Sequence, residues 1–169
     1  KNARHTDKIW IHDYQLMLLP KLLREHLPKA QIGFFLHIPF PSFELLRLLP
    51  WRQEILEGIL GANLVGLHEY DYVRHFLSSI YRILGIEGHY NQIHMGERMV
   101  RVDAFPMGID YDKFCKSHEK PAVAAEMKKM RRQMPADHKL IISVDRLDYA
   151  KGILNRLQAF EIFLGRYPE

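Results

Sequence analysis

The stretch from Gln31 to Leu36 constrains the fold more than any other. It reads Gln-Ile-Gly-Phe-Phe-Leu and stops at His37-Ile38-Pro39-Phe40-Pro41. An apolar run without alternation is the mark of a strand covered on both faces, as in a parallel sheet flanked by helices. The two prolines fix φ and lack N–H donors, so the chain beyond His37 is a rigid loop at a strand end. The surrounding sequence repeats the theme. Lys8 to His12 is a short β-branched and aromatic strand, and Asp13 behind it is placed to cap a helical stretch from Tyr14 to Arg24. Helices are predicted over Glu44–Leu49 and Gln53–Leu60, followed by a strand over Asn63–Leu67 that ends in His68. Tyr72, Val73, Phe76, Leu77, Ile80, Tyr81 and Leu84 form a stripe at helical spacing, with Asp71 in the first turn and Gly85 past the end.

Gln92–Met95 and Arg98–Phe105 flank Gly96-Glu97 and predict a hairpin. The sequence Pro106-Met107-Gly108-Ile109-Asp110 then punctuates the chain, and a polar, Lys-rich stretch follows with a helical segment from Ala122 to Met134. Met127, Met130 and Met134 have helical spacing and are expected in a core. Lys139–Val144 reads as another buried-type strand, feeding a loop over Asp145–Gly152 and an amphipathic helix over Ile153–Leu164. Strands alternating with helices predict an α/β fold with a largely parallel sheet. The composition shift near Pro106 to Lys120 is the candidate boundary between two units.

Composition narrows the function. Lys and Arg number 24 against 20 Asp and Glu, a formal charge of +4 with no basic block, so neither nucleic acid nor a membrane surface is indicated. No apolar run approaches the roughly 20 residues of a bilayer span. A single cysteine, Cys115, excludes an internal disulfide framework and fits a reducing compartment, here expected to be the cytoplasm. The ten histidines include no His-Glu-x-x-His pair, and one cysteine cannot start a Cys-x-x-Cys site, so no metal is expected.

In open parallel sheets ligands bind outside the carboxyl ends of the strands. Four such ends are polar here: His12-Asp13, His37, His68-Glu69, and Asp145-Arg146 with Lys151. Arg146 and Lys151 bracket a strand–loop–helix connection. A planar guanidinium and a mobile ammonium beside a helix N-terminus suit a diphosphate, while two solvated surface cations are the plain alternative. Asp13 serves equally as an N-cap or as an acceptor for sugar hydroxyls. His37 is a structural histidine or a ligand contact, and His68-Glu69 favours capping or packing. No Gly-x-Gly-x-x-Gly or Walker pattern occurs, which argues against a nicotinamide dehydrogenase or a P-loop enzyme.

Four segments resemble trehalose-6-phosphate synthases: Trp10-Ile11-His12-Asp13-Tyr14-Gln15-Leu16, Gly33 to Pro41, Tyr70 to Phe76, and Ser143 to Gly152. They follow the family's order from end to end. The resemblance implies a GT-B glycosyltransferase fold, two Rossmann-like domains facing a cleft. Residues 1–108 would be the later part of the N-terminal, acceptor-side domain, and residues 109–169 the crossover and start of the C-terminal, donor-side domain. It implies glucose transfer from UDP-glucose to glucose-6-phosphate with retention at the anomeric carbon, without metal or other cofactor. Asp13 matches the aspartate that holds glucose-6-phosphate. His37 matches the histidine beside the transferred glucose, whose carbonyl and ring position the sugar. Arg146 and Lys151 match the pair that grips the donor diphosphate. Other parts of the family's site fall outside these residues, so the 169 residues alone are expected to be inactive. The competing readings are a glucosylglycerol-phosphate synthase of the same fold and a non-catalytic regulatory paralogue that binds sugar phosphate. A homo-oligomer is left open.

Overall fold

The computed structural model describes residues 6–135 and 139–168. The chain divides into two compact units, Lys1–Ile109 and Asp110–Glu169.

The first unit runs β1 (Lys8–His12), α1 (Leu19–His26), β2 (Gln31–Phe35), α2 (Phe43–Leu46), α3 (Arg52–Ile59), β3 (Leu64–Leu67), α4 (Tyr70–Ser79), β4 (Gly88–His89), β5 (Gln92–Met95) and β6 (Arg98–Ala104). The strands form one sheet in the order β1-β2-β3-β6-β5-β4. The pairs β1/β2, β2/β3 and β3/β6 are parallel, and only the β4/β5 and β5/β6 pairs are antiparallel. The expected hairpin is present, and its second strand is also the fourth member of the parallel sheet. Register places His12 beside Phe35, Phe35 beside Gly66 and Gly66 beside Asp103.

Adjacent strand residues point to opposite faces, and both Phe34 (0% exposed) and Phe35 (7%) are buried, so β2 is covered on both sides. Leu56, Ile59 and Leu60 from α3 and Val73, Phe76 and Ile80 from the α4 stripe join Ile32, Val65, Val100 and Val102 in one core.

Three segments of this unit depart from the sequence expectation. The stretch Tyr14–Arg24 is not one helix. Asp13 caps a single 3-10 turn (Tyr14–Leu16), and α1 begins afresh at Leu19. Pro20 is the cause: it has no N–H for an interior helical bond and is tolerated only in a first turn. The stripe behind α4 continues as a π-helical turn (Ile80–Leu84) that ends at Gly85, and the Ser79 hydroxyl before it is buried without a partner among the described residues. The short β4 was not foreseen. Tyr90 (φ 48°) and Asn91 (φ 62°) are both left-handed, the geometry of a two-residue turn that matches strand twist.

The second unit contains α5 (Tyr111–Cys115), a 3-10 turn (Ser117–Glu119), α6 (Pro121–Arg132), a second 3-10 turn (Tyr149–Lys151) and α7 (Ile153–Arg166). Lys139–Val144 does not form the strand its pattern predicts, and Ile141, Ile142 and Val144 are 70–85% exposed. The physical reason is that a buried-type strand exists only between partners, and no described residue of this unit is in a strand. Of the expected core methionines, Met127 (46%) and Met130 (48%) are exposed and Met134 is of intermediate burial.

Candidate functional site

The carboxyl ends of β1, β2 and β3 bring Asp13, His37 and His68 together, and His12 with them. Asp13 is held at φ 71°, a backbone geometry costly for a residue with a Cβ. Two sets of bonds maintain it. Its N–H donates to the Phe35 carbonyl at 2.8 Å, prolonging the β1/β2 ladder by one residue. Its Oδ1 accepts from the Tyr14 N–H at 3.0 Å and from the His37 N–H at 3.3 Å. Oδ2 has no partner among the described residues. Asp13 is therefore a cap, as one reading of the sequence had it.

His37 packs its ring on Phe35, centroids 4.8 Å apart, and faces His68 at 5.9 Å nearly edge-on. Its Nε2 lies 2.9 Å from His12 Nδ1. His68 stands at right angles to Phe35 at 5.1 Å. Packing was the favoured expectation for His68, and its ring does pack. Glu69 behind it makes no side-chain cap to α4. Sequence reasoning named His12 only as a strand end and missed its bond to His37. The available signal was its place at the end of β1, one strand from His37. Among the described residues no group of three His, Cys, Asp or Glu side chains is arranged to hold a metal ion.

In the second unit Asp148 caps the 3-10 turn by accepting from the Ala150 N–H at 3.0 Å, and Gly152 at φ 59° turns the chain into α7. Only glycine takes that left-handed junction cheaply. Arg156 is spoken for: it donates to Asp145 Oδ2 at 2.8 Å, to the Ser143 hydroxyl and to the Lys151 carbonyl. Arg146 and Lys151 are different. Both are exposed, and neither side chain has a hydrogen bond or ion pair among the described residues. Two unpaired cations beside a 14-residue helix N-terminus form a surface able to take a polyanion.

A cavity of about 480 Å³ opens at the amino ends of the strands, lined among others by Lys21, Arg24, Glu57 and Arg98. Its arginines are structural. Arg24 donates to the carbonyls of Gly61, Pro28 and Ala30 and to Asn63 Oδ1, and Arg98 to those of Leu60 and Ala62. They tie down the carbonyls behind α3. Burial lowers the pKa of both, and for Arg98 the nearby charge of Arg24 adds to the lowering. Lys21 is paired with Glu57 at 2.8 Å. The chemistry-bearing end of this sheet is the other one.

A mostly parallel α/β sheet with polar strand ends is the architecture of GT-B glycosyltransferases, and that is the fold class of this chain. The model of glycosyltransferase family 20 matches residues 1–169. A UDP-forming alpha,alpha-trehalose-phosphate synthase of Pichia angusta is 52% identical over 174 residues, covering 100% of this chain and 37% of the relative. A Burkholderia xenovorans alpha,alpha-trehalose-phosphate synthase, solved in complex with glucose-6-phosphate, is 34% identical with a TM-score of 0.74, covering 98% of this chain and 38% of that one. An E. coli structure bound with UDP-2-fluoro glucose is 31% identical with a TM-score of 0.74, covering 98% and 37%. The chain belongs to glycosyltransferase family 20. It spans a little over a third of the length of these relatives. Among the described residues no helix is long and apolar enough to cross a membrane.

Proposed function

We propose that this chain carries part of the active site of a retaining glucosyltransferase that makes trehalose 6-phosphate from UDP-glucose and glucose-6-phosphate. The observation that carries the reading is the meeting of Asp13 and His37 at the carboxyl edge of the sheet, in a chain 34% identical to a structure solved with glucose-6-phosphate. Residues 1–108 contribute the acceptor side, where the free oxygen of Asp13 accepts from a hydroxyl of glucose-6-phosphate and His37 positions the transferred glucose. Residues 109–169 contribute the crossover and the start of the donor side, where Arg146 and Lys151 bind the diphosphate.

The chemistry is the one the family resemblance implies. The bond from the glucose anomeric carbon to the phosphate oxygen breaks, and the bond to the acceptor oxygen forms on the same face. The acceptor proton passes to the departing phosphate oxygen, which leaves as part of UDP. Negative charge grows on that phosphate, and a guanidinium and an ammonium beside it stabilise it most where it is greatest, in the transition state. Two cations there supply what a divalent ion would, so the reaction is read as needing neither metal nor cofactor. The lone cysteine, exposed and unpaired, supports a cytoplasmic setting.

The test is a product assay on a protein of full family length containing these residues. It should release UDP and form trehalose 6-phosphate. Arg146→Ala should raise the barrier by about 2–4 kcal/mol, roughly 30- to 1,000-fold in kcat, while glucose-6-phosphate binding changes less. Unchanged turnover in that variant removes the loop from the mechanism, and transfer to glycerol phosphate instead reassigns the acceptor.

A further inference from the structure

One ring nitrogen of His37 is already committed. Its Nε2 and His12 Nδ1 are 2.9 Å apart, the two ring centroids 5.2 Å apart, and the planes only 27° from parallel. For nitrogens at that distance the centroid spacing is near the largest available. Each nitrogen therefore points outward from its own ring at the other, an in-plane N–H···N hydrogen bond and not a face-to-face stack. Such a bond holds one proton between the two nitrogens, so one ring donates and the other accepts. Among the described residues nothing else around His37 does this. Phe35 and His68 offer ring faces and edges, and Asp13 takes the main-chain N–H, not the ring. Nδ1 of His37 has no partner among the described residues.

We propose that His12 is a positioning residue: its Nδ1–H donates to Nε2 and so holds His37 in the Nδ1–H tautomer and in one orientation, with Nδ1 the ring atom that meets a hydroxyl of the bound hexose. The hexose rests on the function proposed above, whereas the lock does not. His12 is suited to the part. The last residue of β1, it sits in ladder register with Phe35 and is followed by the strained Asp13, so its Cα is fixed while its ring stays outside the core. Trp10 meets the same ring at 5.6 Å, nearly edge-on, and limits its rotation.

The ring nitrogens of His37, followed by ¹⁵N NMR in the full 169-residue chain near neutral pH and assigned with His37→Gln, test the lock directly. One tautomer gives two widely separated resonances, while an unlocked ring exchanges and gives two converging ones. The wild type should show the first pattern, and convergence there overturns the proposal without any variant. His12→Phe keeps a ring but has no nitrogen, and should converge the pair. His12→Asn places an amide atom where Nδ1 stood and should restore the separation. A His12→Phe spectrum with His37 unchanged also overturns the lock.

In a protein of full family length, His12→Phe should lower kcat about tenfold or more with KM for the acceptor within about twofold, and His12→Asn should recover most of the loss. A locked ring in an active enzyme whose kcat ignores His12→Phe overturns the positioning role. A locked ring in a protein that makes no trehalose 6-phosphate overturns the proposed function and leaves the lock standing.

Discussion

Asn63, the residue before β3, is the most exacting place to test how this sheet is assembled. Its main-chain N–H donates to the Ile32 carbonyl at 2.7 Å, and its Oδ1 accepts from the Ile32 N–H at 2.9 Å and from Arg24 Nη2 at 2.6 Å. One side-chain oxygen thus satisfies a β2 amide on a residue only 1% exposed and a half-buried guanidinium. Asn63→Ala removes the acceptor and keeps both donors. Stranding the Ile32 N–H costs about 1–3 kcal/mol, and the lost charged bond, discounted because solvent reaches part of Arg24, adds about 1 kcal/mol. The expected loss is about 2–4 kcal/mol. Both tryptophans, Trp10 and Trp51, lie in the first unit, so their fluorescence in urea reports on that unit alone. With a slope of about 1–3 kcal/mol/M the midpoint should fall by roughly 0.7–4 M. Asn63→Asp keeps an oxygen in place for both donors and should stay within about 1 kcal/mol of the parent. If Asn63→Ala unfolds within about 0.5 kcal/mol of wild type, or if Asn63→Asp falls as far as the alanine variant, the shared acceptor is not what holds β2 and β3 at this end.

Two further outcomes follow from the same unit. At Gly61 a Cβ would meet the backbone of α1 at Pro20 and Lys21, with Lys21 Cα at 2.5 Å, so Gly61→Ala should cost more than about 2 kcal/mol in the fluorescence titration, whereas Gly108→Ala, with nothing within 4 Å, should not destabilise. Glu57 is held below the usual carboxylate range by its hydrogen bond from Lys21, and Asp103 by its bond from Arg101. A folded pKa below the unfolded one means the contribution is whole above the unfolded carboxylate value and is lost as pH falls through the folded one. Stability should therefore decline below about pH 4.5, by under about 1 kcal/mol per pair because both are solvent-screened, and Lys21→Met should make that decline shallower; an identical acid slope in Lys21→Met would assign the Lys21–Glu57 pair no weight.

The parallel sheet was legible because its strands carry their burial in their composition. Phe34 and Phe35 point to opposite faces, and a sequence that makes both apolar declares helices on either side. The ends were legible for a related reason: where the apolar run stops at His37 or at His12-Asp13, the covered part of the sheet stops too. What escaped is what depends on neighbours distant in sequence. Lys139–Val144 has the composition of a buried strand and no strand partner among the described residues, so composition alone gave the wrong outcome there. The turn at Tyr90-Asn91 lacks glycine, and its left-handed geometry comes from the β4/β5 pairing it closes.

The His12–His37 bond belongs to the same class, with a consequence for chemistry. Twenty-five residues separate the two rings, and nothing in either local sequence distinguishes a histidine that packs from one that binds. Parallel pairing resolves the matter. It puts His12 level with Phe35 and lets Asp13 take the next rung, so His37 must leave the sheet alongside the His12 ring. The carboxyl edge of a parallel sheet is a place where residues with no sequence proximity are delivered in register, each on a rigid strand, with only side chains left to adjust. A sugar bound there would meet atoms whose positions are set by the backbone ladder.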